Sequence, residues 1–247
     1  MIRVFIGLFV LLGVLRAEDI YASFLVNAQK NASLAFDTSG IVKNVLVDVS
    51  FSVKKGDKLV ELANDDIKAS LEIAKAEEAS AEVVYKYAKR DYERQSKVKD
   101  IIDEARFDTF ALAYERAKTT LQQAKANVAH KEALYNKTFL YAPFDGVIYE
   151  KNVEVGDVVN AMNLKTILKI QSTDDRKLIL EFDQKYWHKV KVGQTFRYKI
   201  DGDSKEYNAS ISKVYPVANQ DNRKLKAEVQ AKGFISGLFG DGYIQVK

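Results

Sequence analysis

The chain has 247 residues, a length for one or two domains, with 38 Lys and Arg against 34 Asp and Glu and a formal net charge of +4. Its basic residues are interspersed with acids in runs no longer than a pair such as Lys54-Lys55. The concentrated basic stripe that neutralises phosphates is missing, so no nucleic-acid partner is expected. Cysteine is absent and the only histidines are His130 and His188. That excludes thiolate nucleophiles, zinc–thiolate sites, iron–sulfur clusters and disulfides, and leaves no short histidine pair for a metal. No nucleophile–base pair stands out, so the chain reads as a non-enzyme without cofactor or metal site.

In chain order, Arg3 precedes an apolar run from Val4 to Leu15. The run is short for a helix that must supply about 20 residues to cross a bilayer. Residues 1–17 therefore read as a secretory signal cut after Ala17, with an uncleaved anchor as the alternative. Either places the rest of the chain outside the cytoplasm.

Residues 34–62 are rich in Val, Leu and Phe with short alternation and punctuating glycines, a strand pattern. From residue 57 to residue 142 there is neither glycine nor proline, and Ala, Glu, Lys and Gln dominate. Steps of four and three pick out Ile67, Leu71, Ala74, Glu78, Ala81, Tyr85, Ala88, Tyr92 and Gln95. A second series runs Phe107, Phe110, Tyr114, Ala117, Leu121, Ala124, Val128, Lys131 and Tyr135. This period of about 3.5 residues is a coiled-coil seam, and two such arms predict an antiparallel hairpin. Asp103 is the expected N-cap of the returning helix, and Asn64 or Asp65 that of the first.

Residues 140–170 return to strand pattern and repeat the first stretch at an offset of 106. Leu34 matches Leu140, Gly40 matches Gly146, and Val47, Val49 and Val53 match Val153, Val155 and Val159. Ser50 stands opposite Gly156, and Met162 opposite Gly56. Two copies of one strand unit around a hairpin imply a single β-domain with pseudo-twofold symmetry, split by the insertion. In the tail, Tyr186-Trp187-His188 reads as ring packing at the end of a sheet structure.

The segment Tyr141-Ala-Pro-Phe-Asp-Gly-Val-Ile148, followed by Val153-Glu-Val-Gly-Asp-Val-Val159, resembles the second half-motif of the biotinyl/lipoyl-like domain of bacterial membrane fusion proteins. Gly40-Ile-Val42 with Val53-Lys-Lys-Gly-Asp-Lys-Leu59 resembles the first. These proteins are the periplasmic adaptors of tripartite efflux pumps, and the inserted hairpin is similar to theirs. So are Val192-Gly-Gln194, Ile211 to Pro216 and Gly237 to Gly242, which resemble the adaptor β-barrel.

The resemblance implies an elongated, modular α+β fold: an antiparallel coiled-coil α-helical hairpin inserted in a split lipoyl-like β-domain, plus a β-barrel domain. It divides the chain into a signal at 1–17, a strand at 18–33 joining the barrel, and lipoyl-like halves at 34–63 and 139–170. The hairpin takes 64–138 and the barrel 171–247. The tail ends soon after the barrel pattern, so the membrane-proximal domain of many adaptors is not expected. The turn that carries the modified lysine in true carrier domains is replaced by the hairpin, so no lipoyl or biotinyl group is expected.

By the same resemblance the partners are an inner-membrane transporter, a TolC-type outer-membrane channel, and further copies of the chain in a ring. A resistance-nodulation-division transporter exporting drugs and other toxic compounds is the leading expectation. An ATP-binding-cassette exporter is the alternative, and a structural coiled-coil protein a third reading. Metal export draws no support from so few His, Met and Cys residues. The hairpin tip is the candidate channel-docking site: Arg94, Lys97, Val98, Lys99, Asp100, Ile101, Ile102 and Asp103. Arg94, Val98 and Asp103 stand nearest the arginine, leucine and serine that the family carries there.

Overall fold

The computed structural model describes residues 18–163 and 165–246. The predicted signal at 1–17 lies outside the described residues. The elements are β1 Glu18–Ala28, β2 Asn31–Leu34, β3 Gly40–Val45, β4 Ser52–Val53 and β5 Lys58–Leu62. The long helices α1 Asp65–Ser96 and α2 Glu104–Asn136 follow. Then come β6 Phe139–Tyr141, β7 Gly146–Lys151, β8 Val158–Val159 and β9 Leu168–Gln171. The tail forms β10 Asp175–Asp183, a 3-10 turn Gln184–Tyr186, β11 Thr195–Ile200, β12 Tyr207–Val214, β13 Lys224–Lys232 and β14 Phe239–Val246. Among the described residues no helix is long and apolar enough to cross a membrane.

The described residues form two compact units, one of residues 32–170 and the other of residues 18–31 and 171–246. In the first, two four-stranded sheets, ordered β2-β9-β7-β4 and β6-β5-β3-β8, enclose one core. Val42, Val53, Leu59, Val60, Leu62, Ile148, Val153, Ile167 and Ile170 are all buried in it. The repeat at offset 106 is realised as strand exchange between halves. Residues Ser52 and Val53 pair with Val147 and Gly146, while Val158 and Val159 pair with Ile41 and Gly40. Neither half completes a sheet alone, so the domain closes only after the hairpin has returned.

The second unit is a closed six-stranded barrel ordered β1-β10-β13-β12-β11-β14. Period-two alternation fills it: Ile20, Ala22, Phe24 and Val26 from β1, Leu178, Leu180 and Phe182 from β10, and Phe196, Tyr198 and Ile200 from β11. Each large side chain so buried contributes about 1.5–3 kcal/mol. Space is tight where β14 passes these rings. A Cβ at Gly240 would lie 2.2 Å from the Lys199 carbonyl and 2.5 Å from the Phe24 ring, so only glycine fits. A bulge at Ser212 shifts β12 against β13 and brings Lys213 opposite Glu228.

The aromatic triplet of the tail behaves differently from expectation. Tyr186 packs against the barrel core, but Trp187 is 72% exposed and meets only the edge of His188, 5.7 Å away between centroids, among the ring contacts of the described residues. The 3-10 turn is too short to bury three consecutive rings on one side. Trp187 is therefore a surface residue, not a packing one.

Candidate functional site: the hairpin and its tip

Every position of both predicted seam series is buried or half-buried between α1 and α2. The half near the β-domain is closed by Leu71, Ala74, Leu121 and Val128, with Ala81 and Ala117 buried around mid-hairpin, and the small alanines let the helices approach. Nearer the tip the seam turns aromatic. Tyr92 stacks on Tyr114 with centroids 5.0 Å apart and planes 7° from parallel. Tyr85 stacks on the same Tyr114 at 5.8 Å, and Phe107 lies 5.6 Å from Tyr92. Ring stacking gives the seam lateral grip where aliphatic residues thin out.

The hairpin is anchored at its root by polar groups. Asn64 sits at the N-cap position of α1 but makes no side-chain cap, contrary to the expectation for it. Its buried amide instead donates to Thr138 Oγ1 at 3.0 Å, across the root to the chain leaving α2. The Thr138 hydroxyl in turn donates to the Tyr135 carbonyl at 2.7 Å. Asp65 does not cap by side chain either. It pairs with Lys43 at 3.0 Å, and that hydrogen bond, aided by the attraction of charges, raises the Lys43 ammonium above its usual pKa. Lys137 pairs with Asp37 at 2.6 Å on the returning side.

At the tip the helices are joined by residues 97–103. Asp103 caps α2 as expected, accepting from the Arg106 amide at 3.2 Å. The turn is tied by amides of Val98 and Ile101, which donate to the carbonyls of Gln95 and Val98. Ile101 is 86% exposed and Val98 40% exposed, while Ile102 is half-buried. Ile101 therefore does not staple the turn. Phe107 is covered by Tyr92 and by the Lys99 ammonium, 5.1 Å over its ring. Arg94 is drawn back along its helix to Asp91 at 2.9 Å. Lys97, Lys99 and Asp100 are exposed around the two apolar side chains. All eight predicted tip residues thus lie in one turn or on the last turn of α1, at the end remote in sequence from the β-domain. What sequence reading missed is the aromatic stack beneath them, although Tyr85, Tyr92, Phe107 and Tyr114 all stood in the seam series.

Among the described residues no group of three or more His, Cys, Asp and Glu is placed to hold a metal ion. The Asp66-Ile67-Lys68 run, which superficially resembles a carrier-lysine motif, lies in the first turn of α1.

The profile of the CzcB-like, barrel-sandwich hybrid domain matches residues 30–170. An uncharacterized protein of Haemophilus influenzae is 25% identical over 198 residues, covering 79% of this chain and 48% of that protein. The cobalt-zinc-cadmium resistance protein CzcB of Cupriavidus metallidurans is 23% identical over 211 residues, 82% of this chain and 39% of that one. The chain thus spans less than half the length of these curated relatives. In structure it is similar to a MacA–MexA chimera carrying the Pseudomonas aeruginosa MexA α-hairpin, with a TM-score of 0.73 at 21% identity, over 94% of this chain and 83% of the other. The strand exchange, the inserted hairpin and the profile across more than half the chain agree: the protein belongs to the CzcB-like barrel-sandwich hybrid family and has the fold of the membrane fusion proteins.

Proposed function

We propose that the chain is a non-enzymatic periplasmic adaptor that links an inner-membrane transporter to a TolC-type outer-membrane channel through its hairpin tip. The observation that carries this reading is the exposed pair Val98 and Ile101, ringed by Arg94, Lys97, Lys99 and Asp100 at the end of a two-helix arm. At 1.5 Å per residue each helix reaches about 50 Å, long enough to carry a docking surface well away from the β-domain. A small apolar centre within a charged rim suits a weak contact repeated around a ring. Several copies held together then bind strongly by effective concentration.

For the transporter, the resistance-nodulation-division class is the leading reading and an ATP-binding-cassette exporter the alternative. Kinship changes the reading of the cargo. The sequence alone pointed to drugs and other toxic compounds, but a curated relative is named for cobalt, zinc and cadmium resistance. Divalent cations are therefore the first cargo to test, and a strain lacking the gene would be exposed to each cation and to a drug panel.

Single cysteines at Val98 and Ile101 test docking directly, because the native chain has no cysteine to confuse the adduct. Crosslinking in intact cells is expected to join both to an outer-membrane channel, with a cysteine at exposed His130 as the control. A folded, exported protein that gives no channel adduct at either position would overturn tip docking.

A further inference from the structure

The two ends of the barrel differ in charge. Strand order brings together the ends of β10 and β12, the starts of β11 and β13, and the pair Glu18 and Val246. The connections at this end, residues 184–194 and 215–223, carry Lys185, Lys189, Lys191 and Arg223 against Asp221. Asp183, at the last position of β10, lies 3.8 Å from Lys185 in open solvent and leaves the surplus positive. At the opposite end, residues 29–30, 172–174, 201–206 and 233–238 carry Asp174, Asp201, Asp203 and Glu206 against Lys30 and Lys205. One end is basic and the other acidic.

The basic end also exposes apolar side chains. Trp187 stands out from the 3-10 turn, Val192 is 63% exposed in the connection that follows, and Val217 is 73% exposed in the neighbouring one. Single exposed apolar residues are ordinary on any surface. The acidic end exposes Ile235 and Phe239 as well, so what sets the basic end apart is that its three apolar side chains, a tryptophan among them, stand among cations.

We propose that this end of the barrel is a membrane-contact surface for anionic phospholipid. Trp187, Val192 and Val217 enter the headgroup layer, and Lys185, Lys191 and Arg223, all exposed, face the lipid phosphates. Tryptophan favours that layer because its ring is apolar while its N–H still finds a polar partner. Clustered lysines add attraction to a negative bilayer, each worth about a fivefold gain in partitioning. The surface is independent of the hairpin tip and of whatever the tip docks.

Trp187 is the only tryptophan of the chain, so its fluorescence reports this end alone. The full chain would be mixed with phosphatidylcholine vesicles, with and without phosphatidylglycerol, some brominated high in the acyl chain. With phosphatidylglycerol present, the emission is expected to shift to the blue and to be quenched by bromine, and salt is expected to reverse both. The exposed-lysine variant Lys185→Gln/Lys191→Gln, shown folded by circular dichroism, is expected to partition roughly thirtyfold more weakly. Three results would each overturn the proposal. The first is a vesicle-bound protein whose Trp187 stays unquenched. The second is quenching indifferent to phosphatidylglycerol and to the lysine variant. The third is a Trp187 shielded only when an inner-membrane protein is present, which would make the surface a protein interface.

Discussion

Ser50 and Gly156 occupy the same place in the two halves of the β-domain and share an uncommon backbone. Both have positive φ, 72° and 96°. Their amides make reciprocal bonds across the pseudo-twofold axis, Ser50 to the Ile148 carbonyl at 2.8 Å and Gly156 to the Val42 carbonyl at 2.9 Å. Next to them, Ile148 donates to Phe51 and Val42 to Asp157, again an exact exchange at offset 106. The repeat in the sequence is therefore a repeat of hydrogen bonds. It survives the loss of glycine at residue 50 because those bonds hold the backbone in place.

That substitution carries a cost. A non-glycine residue in the left-handed region loses about 1–2 kcal/mol, partly offset by the smaller freedom of its unfolded chain. Ser50→Gly is accordingly expected to stabilise the protein by about 0.5–1 kcal/mol. Gly156→Ala, in open space but at φ of 96°, is expected to destabilise it by about 1 kcal/mol. Urea unfolding of the pair checks both signs.

The hairpin root depends on Asn64 and Thr138, which meet at 3.0 Å although 74 residues apart. Removing one leaves the other buried without its partner, a loss of about 1–3 kcal/mol. Asn64→Ala and Thr138→Val are each expected to cost that much, while the double variant costs less than their sum. A double-mutant cycle from denaturation midpoints measures the coupling.

Tyr114 touches both Tyr85 and Tyr92, so it is the centre of the aromatic seam. Tyr114→Ala is expected to loosen the tip half of the hairpin while the root stays closed. Hydrogen exchange would show faster amide exchange in residues 85–114 than in 65–80. Equal protection throughout would contradict a locally graded seam.

On the barrel, Glu228 is buried and accepts from the Tyr215 hydroxyl at 2.6 Å, with the Lys213 ammonium 3.1 Å away. Burial acts to raise its carboxyl pKa, but the bonds from Tyr215 and Lys213 outweigh it and hold the pKa below the ordinary value. The same bond, with burial and charge, raises the Tyr215 hydroxyl. A carboxyl depressed in the fold stabilises it above the unfolded pKa, and that stability is lost as pH falls through the folded value. Acid unfolding of wild type is expected to steepen below the ordinary carboxylate range, and Glu228→Gln to flatten that slope at the cost of lower stability near neutrality.

The sequence by itself determined what is local or periodic. The absence of glycine and proline from 57 to 142 and the alternating steps of the seam follow from one helix's geometry, which needs no knowledge of the rest of the chain. Offset 106 likewise announced two equivalent halves, and Asp103 announced its cap. The position of the tip residues at the join of the two helices was legible for the same reason, although Ile102 is half-buried there.

Only the tertiary structure decided which distant groups meet. Strand exchange, the bulge at Ser212 and the bond from Asn64 to Thr138 join residues whose separation leaves no periodic trace. Asn64 illustrates the limit: its local signal was that of a cap, but donating its Nδ2 to a buried hydroxyl across the root holds the side chain in an orientation that makes no cap. Trp187 illustrates the other side. Its composition suggested burial, yet whether a ring at a barrel end is covered depends on the neighbouring connections, and these leave it in solvent. Burial is a property of the assembled surface, and no single segment contains it.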